Sequence, residues 1–278
     1  MLDLLLAILC STAVSLVMRL SEARIQSKTG LLAVNYLVCL IPAALYLPPA
    51  GPFPAGEGLP AALGMGCVGG FLYLAGFLLL QWNIGVNGVA LSSTFMKLGV
   101  LVPTALSFLL FGEVPGAAQV LGFVLALAAI LMINLEKGAG RANHRLGLIL
   151  LLCIGGCTDF LSKLYEQYGD PALENHFLFY IFAVAVLLCL GVAAVQRQRI
   201  GKWEVLFGLL LGVPNYFSSR FLLRALATVP AIVAYPTCNV GVIVAVGLAG
   251  VLLFHEPLTR RRAAAMGIIL AALALLNL

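Results

Sequence analysis

Charge is what this chain has least of. Lys, Arg, Asp and Glu together make up 10% of its 278 residues, against roughly 25% in a soluble domain. Hydrophobic residues make up 62%, and the mean hydropathy is +1.09. So few charges cannot clothe a water-facing surface, so lipid is the expected solvent. The net charge of +5 would suggest an anionic partner in a soluble protein. Here the cations sit in short connections between apolar runs, which is a pattern of membrane topology and argues against nucleic-acid binding.

Catalytic motifs are also missing. The sequence holds no Gly-x-Ser-x-Gly, no Gly-x-x-x-x-Gly-Lys and no His-Glu-x-x-His. Its three histidines, His144, His176 and His255, are far apart and lie in connections. We therefore expect no enzyme, no ATP hydrolysis, no cofactor and no metal site. The seven cysteines all fall inside apolar segments, where Cys acts as a small hydrophobe. Cys153 and Cys157 share a helix face without a third ligand. The N-terminus has no cation before its first apolar run, while Arg19, Arg24 and Lys28 follow it, the reverse of a cleavable signal.

Long apolar runs are abundant. Ten spans, each near the roughly 20 residues that a bilayer requires, are expected at about 2–18, 31–48, 60–80, 89–111, 116–135, 146–165, 176–195, 204–224, 231–254 and 262–278. The stretch 136–145 reads as a linker between two halves, 1–135 and 146–278. The halves repeat at a constant offset of 143 residues. Leu109-Leu110-Phe111-x-Glu113 recurs as Leu252-Leu253-Phe254-x-Glu256, Ala128-Ala129 as Ala271-Ala272, and Gly69 and Tyr73 as Gly212 and Tyr216. Five spans per half is an odd number, so the second half enters the membrane from the opposite side. The expected fold is all-α, with ten transmembrane helices arranged as two inverted five-helix repeats.

The connections alternate in sign. Those after the first, fifth, seventh and ninth spans carry twelve cations: Arg19, Arg24, Lys28, Lys137, Arg141, Arg145, Arg197, Arg199, Lys202, Arg260, Arg261 and Arg262. The opposite side holds Glu57, Glu113, Glu166, Asp170 and Glu174, and no Lys or Arg. The cation-rich side is then cytoplasmic and both termini lie outside. Gly66-x-x-x-Gly70 and Gly208-x-x-x-Gly212 mark faces where helices approach closely. Pro103, Pro214 and Pro236 are expected to kink their spans.

Each half ends in a Glu-Pro turn and a final helix rich in small residues: Gly112-Glu113-Val114-Pro115 in one, His255-Glu256-Pro257 in the other. Ala225-Leu226-x-x-Val229-Pro230 opens the penultimate span of the second half, and Trp82-Asn83-x-x-Val86-Asn87 holds the matching place in the first. Over nearly its whole length the chain resembles the EamA-type carriers of the drug/metabolite transporter superfamily. The resemblance implies a carrier of small organic solutes that works by alternating access. It specifies no substrate. In one respect the chain departs from it: many such carriers are expected to have cytoplasmic termini.

Ionisable groups at membrane depth are the first site candidates, since each is costly there. Lys97 lies eight residues into the fourth span, and Ser93, Lys97 and Thr104 form a polar stripe. Lys97 either lines a central cavity or snorkels to the cytoplasmic interface. Arg220 either clamps a carboxylate or phosphate or pairs with Asp159. Asp159 either couples protons or binds an ammonium, or forms a structural salt bridge with Lys163 or Arg220. Arg224 reads as an interfacial anchor. Tyr73, Tyr216 and Trp82 could stack on a solute or simply pack, and Asn239 could line the same cavity with Tyr235. The duplicated Glu113 and Glu256 read as structural caps of the following helices. The cations outnumber Asp159, which points to an anionic or zwitterionic metabolite, such as an amino acid or organic acid. Export of organic cations or lipid flipping are the alternatives. The expected partners are the solute and the bilayer, in the plasma (inner) membrane, and a monomer is favoured.

Overall fold

The computed structural model describes residues 1–49, 51–134, 144–254 and 260–276. The expected linker residues 136–143 and the turn holding His255, Glu256 and Pro257 lie outside these. The described chain is helical: α1 Leu2–Ser21, α2 Lys28–Leu45, α3 Leu59–Asn87, α4 Val89–Leu98, α5 Leu101–Phe111, α6 Ala117–Asn134, α7 Arg145–Tyr168, α8 Glu174–Val195, α9 Lys202–Leu226, α10 Ala231–Phe254 and α11 Arg260–Leu276, with a 3-10 turn at Pro171–Leu173. Eight segments are long and apolar enough to cross a membrane, with α4 and α5 sharing one, Leu91–Phe111. Shorter apolar stretches at Ala117–Met132 and Ala263–Leu276 bring the number to ten. This is the expected all-α, ten-helix membrane fold.

Two boundaries differ from expectation, each for a local reason. α3 runs to Asn87 instead of ending near 80. The polar residues there do not leave the helix. Asn83 Nδ2 donates to Leu79 O at 2.9 Å and to Gly147 O at 3.0 Å, and Asn87 Nδ2 donates to Asn83 Oδ1 at 2.9 Å. The fourth span breaks between Leu98 and Leu101. Pro103 has no N–H to donate and its ring crowds the carbonyl four residues back. The turn tightens to bonds three residues apart, with Gly99 N to Met96 O at 3.2 Å and Val102 N to Gly99 O at 2.9 Å.

The chain folds into two compact units, and neither is a sequence half. One unit comprises residues 2–74 and 164–224, the other 75–163 and 225–278. Each draws on both halves and pairs their equivalent spans. In the first unit α2 packs on α8; in the second, α6 packs on α11 and α5 on α10. The glycine motifs explain the first unit. A Cβ on Gly66 would lie 2.5 Å from Tyr180 Cβ, and one on Gly70 2.7 Å from Ile181 O, both on α8. A Cβ on Gly208 would lie 2.6 Å from Val34 Cβ, and one on Gly212 2.7 Å from Asn35 O, both on α2. The third span of each half is thus notched to receive the second span of the other.

A candidate solute site

In the unit holding residues 75–163 and 225–278, the break between α4 and α5 meets α7 at two glycines. A Cβ on Gly156 would lie 2.5 Å from Gly99 O, and one on Gly99 would lie 3.0 Å from Gly156 N. That approach brings Lys97, two residues before Gly99, toward Asp159, one turn after Gly156. Cys238 of α10 lies in the same region and is buried. Lys97 and Asp159 are half-buried, as are Ser93 and Asn239. Tyr235 on α10 donates its hydroxyl to the backbone carbonyl of Asp159. α4 and α10 therefore both meet α7 near Asp159.

Several expectations change here. The polar stripe from Ser93 to Thr104 assumed one continuous helix. The Pro103 break interrupts it, and Thr104 is buried with a hydroxyl that lacks a hydrogen-bond partner among the described residues. Lys163, four residues from Asp159, has an ion-pair partner far away in sequence. It pairs with Glu113 Oε1 at 3.1 Å and lies over Phe111 at 5.8 Å. Glu113 does cap a helix, but a different one from that expected. Its Oε2 accepts Ile232 N at 3.3 Å, in the first turn of α10 and not of α6. Gly112, at φ 66°, turns the chain so that Glu113 can reach it. Trp82 is 44% exposed and sets its ring edge-on against His144 at 4.9 Å, with Gly147 beneath it. It packs against the start of α7.

In the unit holding residues 2–74 and 164–224, Arg220 is 7% exposed. Its Nη1 donates to Tyr216 Oη at 3.2 Å, and the guanidinium lies 3.6 Å above the Tyr46 ring. Tyr46 and Tyr216 stack at 6.2 Å. Tyr216, fully buried, also meets Phe182 at 5.9 Å. Phe182 meets Tyr73 at 6.2 Å, and Tyr73 stacks on Tyr36 at 5.9 Å. The duplicated Tyr73 and Tyr216 thus both touch Phe182. Polar groups line the neighbouring helices. Tyr73 Oη and Ser219 Oγ are 3.5 Å apart, Asn215 Nδ2 donates to Asn35 Oδ1 at 3.4 Å, and Ser11 Oγ meets Ser218 Oγ at 2.5 Å. Glu174 acts on Arg220 at longer range and contacts Arg224 at 3.8 Å.

Sequence reasoning passed over Tyr36, Tyr46, Asn35 and Phe182, which carry no charge and no motif. It also passed over Cys238, read as a plain hydrophobe although it lies buried in the region of Lys97 and Asp159. A searchable signal for Asn35 existed: a strong amide in an apolar run is expensive at membrane depth unless it is paired.

Ten apolar helices carrying charges and polar groups at membrane depth define a polytopic membrane protein of the carrier type. The EamA-like transporter family model matches residues 145–278, the second half of the chain, and supports a place in the drug/metabolite transporter superfamily. That is a family of membrane transporters, so this is an integral, multi-pass membrane protein. The chain is 26% identical over 272 residues to an uncharacterized protein of Haemophilus influenzae, covering 93% of this chain and 91% of the relative. A solved crystal structure shares the fold with a TM-score of 0.75 at 14% identity, covering 99% of this chain and 94% of the other.

Proposed function

We propose that this protein is a secondary transporter that moves a small anionic or zwitterionic metabolite, such as an amino acid or organic acid, by alternating access across the plasma (inner) membrane. Arg220 carries this reading. A guanidinium has five N–H donors, and at Arg220 the hydrogen bond within reach goes to a neutral phenol. A buried guanidinium with donors to spare suits a carboxylate or phosphate. Lys97 supplies a second cation at membrane depth. Export of organic cations would need an acid free to attract them, and the contact of Gly99 with Gly156 brings Lys97 toward Asp159.

Inverted halves of similar sequence give outward- and inward-facing states of comparable energy, so a modest gradient can drive the cycle. The Lys/Arg-rich connections face the cytoplasm and both termini lie outside. The protein works as a monomer, with a small-molecule solute as its partner.

The test is a thermal-stability screen of the detergent-purified protein against a metabolite library. A binder at one hundred times its Kd raises stability by about 2.7 kcal/mol. The stabilising compounds should be anions or zwitterions, and Arg220→Ala should abolish their effect while Arg224→Ala keeps it. A set of hits made up of organic cations, or full stabilisation of Arg220→Ala, would sink the proposal.

A further inference from the structure

Two basic connections, one from each half, meet in the unit holding residues 2–74 and 164–224, and the solute reading uses neither. We propose that they form a docking site for an anionic glycerophospholipid. Its phosphate lies among Arg24, Arg197 and Lys202, and its chains run along the neighbouring apolar surface. The site is separate from the solute site and does not depend on which solute is carried.

The stretch 19–28 joins α1 to α2, and 196–202 joins α8 to α9. Side chains clasp the two together. Glu204 Oε1 accepts Gln26 N at 2.6 Å and Ser27 N at 3.0 Å, Ser27 Oγ donates to Gln198 Oε1, and a Cβ on Gly30 would lie 3.2 Å from Ile200 Cγ1. The clasp gathers six cations, Arg19, Arg24, Lys28, Arg197, Arg199 and Lys202, and all six are exposed. The same segments hold two acids. Glu204 is buried and spent on backbone amides, which leaves Glu22. Trp203 is half-buried and packs on the core of Leu31, Phe207 and Leu211. Arg24 Cζ lies 4.8 Å from its ring centroid and Lys202 Nζ 5.6 Å, so one indole carries a cation from each connection.

The charge bias that orients a membrane protein requires only that cations lie on one side. It requires no clasp between two connections and no shared ring. Bringing like charges together is unfavourable unless an anion lies among them. The backbone gives a second sign. Arg197 has φ 51°, in the left-handed region where glycine is favoured, yet the turn carries a cation. The surface beside the cations is apolar, for Leu20, Ile200, Val205 and Leu206 are all exposed. A free phosphate or a nucleic acid would meet the cations and leave these side chains unused. A phospholipid satisfies both, with its phosphate on the cations, its chains on the apolar residues and Trp203 at the boundary, where tryptophan is favoured. A zwitterionic lipid brings its own cation to the patch, so an anionic headgroup is preferred.

Trp203 is one of two tryptophans, and Trp82→Phe leaves it as the sole reporter. The full-length Trp82→Phe protein is placed in bilayers of phosphatidylcholine brominated along its acyl chains, which quench an indole on contact. Unbrominated phosphatidylglycerol is titrated in, and the recovered fluorescence gives its preference for the site, with unbrominated phosphatidylcholine as the reference. The preference should be at least about twentyfold, and Arg24→Gln and Lys202→Gln should each lower it by about fivefold. Arg24→Lys and Lys202→Arg, which keep the charge, should keep the preference. Arg197→Gly removes a cation and gives the left-handed turn the residue it favours, so the preference should fall while the melting temperature does not. Sodium chloride at about 1 M, where the Debye length is about 3 Å, should bring the preference toward one. A preference below about twofold, or an unchanged preference in the Arg24→Gln/Lys202→Gln double variant, would overturn the site. So would an equal loss in Arg145→Gln of the other unit, which would reduce it to a diffuse surface field. Inorganic phosphate that displaces the lipid more than chloride does at matched ionic strength would mean an ion site and overturn the lipid assignment. None of these outcomes touches the transporter reading.

Discussion

Glu204 offers the sharpest test of how the first unit is held. Its carboxylate is 3% exposed and joins three backbone amides from two places in the chain. Oε1 accepts Gln26 N at 2.6 Å and Ser27 N at 3.0 Å, and Oε2 accepts Gly201 N at 3.0 Å. The connection between α1 and α2 is thereby tied to the start of α9. Ser27 is itself the N-cap of α2, its hydroxyl accepting Gly30 N at 2.8 Å, so one carboxylate seats the beginnings of two helices. Hydrogen bonds to a charged group contribute about 1.5–3 kcal/mol each, and a buried donor left without a partner costs about 1–3 kcal/mol. Glu204→Gln keeps one acceptor oxygen but turns an NH2 toward Gly201 N–H, so a loss of about 2–4 kcal/mol is expected. Glu204→Ala loses all three bonds and should cost about 3–6 kcal/mol. At roughly 2–4 °C per kcal/mol, the midpoint in detergent should fall by about 5–15 °C for Gln and further for Ala. Cys39 and Cys189 are fully buried in the same unit. A thiol-reactive dye therefore reads its unfolding once the half-buried Cys10 and the exposed Cys67, Cys153 and Cys157 are changed to Ala. A shift under about 2 °C in both variants would refute the clamp.

Four further outcomes follow from the same structure. Gly156→Ala should destabilise by about 2–3 kcal/mol because the backbone of Gly99 cannot move aside, whereas Gly64→Ala, which meets open space, should leave the melting curve within experimental scatter. Lys163→Met alone should cost about 3–5 kcal/mol by stranding Glu113, and adding Glu113→Met should recover part of that loss in a double-mutant cycle read by denaturant midpoints. Arg220→Lys keeps the charge but not the fork over Tyr46. It should weaken solute binding at least about tenfold, measured by ligand-dependent stabilisation, with little change in the unliganded midpoint. If both termini lie outside, a cysteine introduced at Leu2 should react with an impermeant maleimide in intact cells and one at Lys202 should react only after permeabilisation; the opposite pattern would invert the topology.

Much of the fold was legible because lipid enforces a simple code. Apolar runs of bilayer length, cations on alternate connections and glycines four apart each translate into one physical requirement, and the helices at Glu174–Val195 and Ala231–Phe254 lie within about two residues of the expected spans. Pro103 announced its break in advance. The misreadings came from residues whose meaning depends on a neighbour far away in sequence. Gln81, Trp82 and Asn83 looked like the end of a span, but Asn83 is satisfied by the Gly147 carbonyl on α7. Sequence proximity suggested that Glu113 caps α6, where folding gives it the Ile232 amide of α10. Lys163 sat four residues from Asp159, and its ion pair with Glu113 could not be read from sequence proximity. Glu204 was hidden altogether, since a carboxylate beside Lys202 at the mouth of a span resembles ordinary interfacial charge. Tyr36 and Tyr46 gave no signal because an aromatic ring in an apolar run is the commonest filler of a bundle.

The exchange of helices between the halves also sets a clock. α2 ends at Leu45, and its packing partner α8 ends at Val195. At synthesis rates of about 5–20 residues per second, roughly 8–30 s pass between them. For most of that interval the notches at Gly66 and Gly70 of α3, once made, stand in the bilayer with no helix to fill them. The early half must therefore be held by lipid, or by the insertion machinery, as loose and individually stable helices. A mutation that harms these notches acts on a waiting intermediate as well as on the finished protein, and slowing synthesis lengthens the time it is at risk.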